Sequence, residues 1–158
     1  MADHRQIADM THSAHPEGKE TLMPKHKSIV NRLDRSRLEP HLTASAPYGP
    51  SSRLRALLDR AVPVAPERVP PDVVTMNSRV AVRDGRGGEG RGSDVDVYVL
   101  AYPEYDGPSA VYVLSPMGSA LLAAREGQRV EYMGANGSRS VIVEAIEYQP
   151  ERAGDLDL

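Results

Sequence analysis

The sequence predicts an α+β protein: an antiparallel, strongly bent sheet with one helix packed across it, preceded by a short N-terminal helical hairpin. Three observations carry that prediction. Beyond Pro71 the apolar residues recur with a period of two, a single helical segment interrupts the strands, and between Asp34 and Ala61 the pattern is helical.

The strands are read from VVTMNSRVAV (73–82), DVDVYVLAY (94–102), AVYVLS (110–115), RVEYM (129–133) and RSVIVEAIEY (139–148), all rich in β-branched or aromatic residues alternating with polar ones. MGANGS (133–138) supplies Asn-Gly turn chemistry for a hairpin between the last two. The interrupting helix lies in SPMGSALLAAREGQ (115–128). Ser115 caps it, Pro116 suits its first position, Ala120, Leu121 and Ala124 form its apolar face, and Gly127 suits a left-handed stop.

Upstream, DRSRLEPHL (34–42) reads as a helix capped at Asp34 and kept short or kinked by Pro40, which lacks an N–H and crowds the preceding turn. After the turn-rich TASAPYGPSS (43–52), Leu54, Leu57, Leu58 and Ala61 fall at i, i+3, i+4, i+7 behind Ser51 and Ser52, either of which can cap. These two helices make the hairpin, residues 29–61. Four prolines in VPVAPERVPPD (62–72) favour an extended, semi-rigid connector over 62–71, and the sheet domain occupies 72–158. Residues 1–28 form a polar extension without either period, expected to be disordered or loosely attached.

Composition narrows function. The chain has 158 residues, enough for one modest domain and an appendage, and it has no Cys, Trp or Phe. Disulfides, thiolate metal sites and cysteine nucleophiles are therefore excluded, and seven Tyr supply all aromatic packing. No N-terminal apolar run reads as a signal peptide or membrane span, so a cytoplasmic protein without membrane contact is expected. The net charge of −3 argues against general nucleic-acid binding, and no sequence-specific contact to nucleic acid is expected. It conceals an asymmetry. Residues 25–60 carry 8 basic and 3 acidic side chains, whereas 61–158 carry 9 and 15, leaving a basic middle joined to an acidic remainder.

GRGGEG (85–90) fits the spacing of a dinucleotide loop, but it opens a strand rather than a helix, so no helix N-terminus faces it and the glycines mark a turn. His4, His12, His15 and His26 have no helical i+4 partner that would fix metal geometry. Asp94 and Asp96 share a strand face and read as a solvated pair. No catalytic residue, metal or cofactor is expected, and the chain is expected to be a monomer.

Four words in order, DVVTMNSRV (72–80), YPEYD (102–106), VLSPMGSALLAAREGQRVEY (113–132) and EYQPERAGD (147–155), resemble the C-terminal domain of the Gre-type transcription factors, with the regulators of nucleoside diphosphate kinase as the most similar branch. The resemblance runs from about Ile29 to the C-terminus and is densest from Asp72. It implies an FKBP-like domain behind the hairpin and binding to bacterial RNA polymerase at the rim of its secondary channel. In this resemblance the contact residues are Leu114, Ser115, Pro116 and Met117, with Leu114 departing from the polar or acidic residue that Gre factors often carry there. The physical requirement of a cap and a first helical residue accounts for Ser115 and Pro116 equally well. FKBP-like topology also raises prolyl isomerisation, which an aromatic-lined pocket would require and a domain without Phe or Trp is poorly equipped to build. Two functional readings follow: a polymerase-binding regulator that does not stimulate transcript cleavage and competes with Gre factors, or a regulator of nucleoside diphosphate kinase, or of its level, acting without polymerase contact.

Overall fold

The computed structural model describes residues 26–43, 50–86 and 94–157. Their order is β1 (Ile29–Asn31), α1 (Arg32–Thr43), α2 (Pro50–Arg60), β2 (Val62–Val64), a 3-10 turn (Pro66–Arg68), β3 (Arg79–Asp84), β4 (Val95–Ala101), β5 (Ala110–Tyr112), α3 (Pro116–Leu121), β6 (Arg129–Gly134), β7 (Gly137–Tyr148) and α4 (Pro150–Ala153). Five strands form a curled sheet in the order β5-β4-β3-β7-β6, and β1 pairs with β2 in a separate small sheet.

The sheet is mixed rather than purely antiparallel. Strand β5 runs parallel to β4, residues 102–109 carrying the chain back from Ala101 so that Ala110 re-enters opposite Val99 in the same direction. The curl comes from β7, whose twelve residues pair with β6 on one side and β3 on the other, with register shifts opposite Arg79/Val80 and Ala81/Val82. Such irregularities bend the bulged strand and raise its local twist. The β6–β7 hairpin closes through Ala135 and Asn136, and Gly137 has the positive φ of 111°.

The expected strand over 73–82 begins only at Arg79. Residues 72–78 instead form turns in which Val73 bridges Arg125 and Thr75 N–H donates to Ser78 Oγ, so local side-chain bonding to the backbone displaces the strand ladder. The helix after Ser115 ends at Leu121 rather than reaching Gly127. Ala123 takes a left-handed conformation (φ 65°) and its N–H turns to the carbonyl of Val74, tying the helix end to the 72–78 segment. The glycine-rich stretch connects antiparallel strands β3 and β4, and residues 87–93 lie outside those described. Gly85 abuts Ser140 so closely that a Cβ would collide with its side chain.

Helix α1 starts three residues before the expected point. Asn31 Oδ1 accepts the Leu33 N–H at 2.9 Å and serves as the cap, while Asp34, expected to cap, sits inside the helix. Asp34, Leu38 and Leu42 recur every four residues and share the buried stripe. Pro40 is accommodated within α1, where it removes the N–H that would bond to the carbonyl of Ser36. Helix α2 begins at Pro50, so Ser51 and Ser52 fall inside it, and Leu54, Leu57, Leu58 and Ala61 are all buried as their spacing predicts. The stretch 62–71 contains β2, bonded to β1 in parallel register, and the 3-10 turn. Leu38, Leu42, Leu54 and Leu58 join Val80, Leu100, Val143 and Ile146 in one continuous aliphatic core, with Tyr98, Tyr102 and Tyr132 at its margin.

Candidate partner-binding site

The segment from Ser109 to Gly118 carries all four residues that the resemblance singles out. Strand β5 anchors it: Val113 N–H bonds to the Ala101 carbonyl at 2.9 Å and the Val113 side chain is fully buried. The chain then turns sharply. Both the N–H and the hydroxyl of Ser115 donate to the Tyr112 carbonyl, at 2.9 and 2.6 Å, and Ser115 Oγ accepts the Gly118 N–H at 3.0 Å. Ser115 is thus the α3 cap and a clamp on the preceding strand. Pro116 follows at the first helical position, exposed, and Gly118 lies directly on the Tyr112 carbonyl, where a Cβ would overlap the oxygen.

These bonds fix the backbone and leave apolar surface outside. Leu114 and Met117 are half-buried against the core, Pro116 is exposed, and Tyr112, which sequence reasoning missed, is 43% exposed. A Tyr in a β-branched strand reads as packing; its exposure follows from β5 being an edge strand, which only the topology reveals. Met117 also lines a depression of about 240 Å³ over the sheet with Tyr98 and Tyr132, flanked by Arg83, Asp96 and Arg139. Arg83 pairs with Glu144 across β3 and β7. The arrangement offers a rigid apolar ridge with charged margins, the anatomy of a protein-docking patch. Asp96, in β4, is exposed at its margin, whereas Asp94, expected on the same strand, is exposed just before β4 begins.

A second polar cluster joins the N-terminal helices to the sheet domain. Asp34 is buried, its Oδ2 accepting the Met76 N–H and its Oδ1 the Tyr102 hydroxyl, both at 3.1 Å. Burial pushes the Asp34 carboxyl up to about 7; the bond from Met76 opposes this, the charge of Glu151 adds to it, and Tyr102 and Arg37 oppose it. Burial, then the neighbouring Asp34 charge, raises Tyr102 as well. Alongside, Glu151 of α4 accepts from Asn31 Nδ2 at 2.6 Å and from Thr75 Oγ1 at 2.8 Å. Gln149 is buried and donates to the Pro70 and Val73 carbonyls, and Arg152 donates to the Ile146 carbonyl. The word EYQPERAGD is therefore a latch closing the sheet domain onto β1 and the 70–75 segment.

Among the described residues, no group of three or more His, Asp or Glu side chains is placed to hold a metal ion. His41 pairs with Glu104 at 3.3 Å, His26 is exposed, and His4, His12 and His15 lie outside the described residues. Among those residues no helix is long and apolar enough to cross a membrane.

Comparison with known proteins agrees with this architecture. Residues 69–148 match the family described as "Transcription elongation factor, GreA/GreB, C-term". The protein named regulator of nucleoside diphosphate kinase from Escherichia coli strain K12 is 40% identical over 139 residues, spanning 84% of this chain and 98% of the relative, and that from Shigella flexneri matches equally. Among solved structures, the prokaryotic transcription elongation factor GreA/GreB from Nitrosomonas europaea superposes with a TM-score of 0.64 at 33% identity, covering 78% of this chain and all of that one.

Proposed function

Because the chain belongs to the GreA/GreB transcription elongation factor family, we propose that it is a non-catalytic regulator that docks on bacterial RNA polymerase near the secondary channel through Leu114, Ser115, Pro116 and Met117. The observation that supports the docking residues is the Ser115 clamp, which holds Pro116 outward and Leu114 and Met117 at a rigid apolar ridge. In this reading residues 72–157 are the docking unit, an FKBP-like arrangement of curled sheet and α3, and 29–61 are a shortened counterpart of the inserting hairpin, joined through 62–71.

The same reading separates this chain from cleavage-stimulating relatives. A hairpin that supplies a catalytic Mg²⁺ site needs carboxylate oxygens at its tip. TASAPYGPSS contains neither Asp nor Glu, and α1 and α2, with 12 and 11 residues, extend only about 18 and 16 Å at 1.5 Å per residue. The protein therefore binds without stimulating cleavage and competes with Gre factors for their site. The net +5 of residues 25–60 favours approach to an acidic channel, so binding weakens as salt rises, exposed charges being screened over roughly 10 Å at 0.1 M. Size-exclusion co-elution with core polymerase at low salt tests the proposal; failure to co-elute removes it. The 40% identity to proteins named regulator of nucleoside diphosphate kinase supports a second reading, action on that kinase or its level without polymerase contact, and pull-down of the kinase from a polymerase-depleted lysate would favour it.

A further inference from the structure

A depression of about 360 Å³ lies between α2 and the segment running from α3 into β6, on neither the docking ridge nor the Asp34 joint. Arg53, Leu57 and Arg60 line it from one face of α2, four and seven residues apart, and Arg129 reaches it from the start of β6. We infer that this groove binds a small, multiply charged phosphate, of the pyrophosphate or nucleoside di- and triphosphate class.

The charge distribution points there. Three guanidiniums line the groove against the single carboxylate of Glu131, two of them from the basic stretch 25–60 and one from the net-acidic stretch 61–158. Arg53 is already oriented, its Nη2 donating to the Glu131 carbonyl at 2.6 Å and its other N–H groups remaining available. Among the described residues the Arg60 and Arg129 side chains have no hydrogen-bond or ion-pair partner, although four other charged pairs form elsewhere. Beneath them Leu57, Leu122 and Val130 are buried, while the three guanidiniums themselves stand exposed, so their pull on an anion is long-range, electrostatic and weakened by salt. Gln128, also in the lining, uses Oε1 to accept the Arg125 N–H at 3.0 Å, which turns its amide N–H₂ into a neutral donor for the same ligand. Guanidinium forks match phosphate oxygens two at a time, and the volume falls in the range of small-ligand sites, about 300–1,000 Å³.

The inference does not rest on polymerase binding and is tested without polymerase. Isothermal titration of the full chain at low ionic strength uses inorganic pyrophosphate and, separately, ATP as probes. Both bind the wild type, and Arg60→Gln/Arg129→Gln weakens each about tenfold or more, whereas Arg68→Gln, an exposed change in the 3-10 turn outside the groove, leaves them unaltered. Equal affinities would show that the phosphates alone are read, and tighter ATP that the nucleoside also contributes; either supports the site. Should the glutamine pair fail to fold, Arg60→Lys/Arg129→Lys keeps the charge while removing the fork, and it must weaken pyrophosphate and reduce the rise in thermal midpoint that pyrophosphate gives the wild type. No binding of either probe, equal weakening by Arg68→Gln, or displacement of pyrophosphate by a single-stranded oligoribonucleotide that binds more tightly would overturn the inference.

Discussion

The sheet and the N-terminal helices share one core but are secured differently. Within the sheet, Val80, Leu100, Val143 and their neighbours are aliphatic side chains whose contribution scales with buried area and is indifferent to pH. Where α1 and β1 meet the sheet domain, directional polar bonds are accepted by two carboxyls, Glu151 from Asn31 and Thr75 and Asp34 from the Met76 N–H, and burial pushes the Asp34 carboxyl up to about 7. Apolar packing supplies most of the stability, and the polar joint fixes how the helices sit on the domain. Buried polar groups that are satisfied specify geometry, and the same low dielectric makes them sensitive to protonation.

Leu100→Ala is the strongest way to break this comparison from the sheet side. Leu100 is 1% exposed, so truncation leaves a cavity and costs about 2–5 kcal/mol in urea unfolding, equally at pH 5 and pH 8. A pH-dependent loss would contradict the division.

Asp34→Asn probes the joint. The folded-state carboxyl is raised from 3.8 to about 7, so the folded protein holds a proton that the unfolded chain has released. No penalty exists below pH about 4; stability falls as pH rises through the window to about 7, by at most about 4 kcal/mol, and stays low above it. The amide removes that slope. It can accept from Met76 N–H through Oδ1 and donate to the Tyr102 oxygen, so the variant gains stability at pH 8 relative to wild type. Parallel pH slopes for the two proteins in chemical unfolding would refute the assignment. Glu151→Gln sharpens the same point, since it removes a like charge near Asp34 and one acceptor of the Thr75 hydroxyl. A cost of about 1 kcal/mol is expected, with the wild-type pH midpoint displaced downward.

Met117→Asp has the smallest expected effect on folding and a large one on docking. Met117 stands in the first turn of α3, where an acidic side chain is tolerated beside the helix N-terminus, so unfolding should change by no more than about 1 kcal/mol. Polymerase affinity should fall tenfold or more, as for loss of a central apolar contact. Unchanged affinity in the folded variant would remove these residues from the interface.

Legibility in the sequence followed the same division. Strand alternation in the middle of β7 and the leucine spacing of α2 report burial directly, and both were readable, whereas β4 does not alternate and its Val95 is exposed. Ser115 and Pro116 were readable as cap and first helical residue because that chemistry is local. The polar joint was not. Asp34 looked like a cap because spacing cannot reveal that Met76 N–H and the Tyr102 hydroxyl, far along the chain, converge on it. The early stop of α3 depends in the same way on a distant carbonyl, that of Val74, and the exposure of Tyr112 on the parallel placement of β5 at the sheet edge.

Stalled elongation complexes incubated with the protein, with and without a Gre factor, test the central claim most directly. The account predicts no transcript shortening beyond the polymerase-only rate and slower cleavage when the protein is added to the Gre factor. Shortened transcripts produced by the protein alone, above that rate, would contradict it.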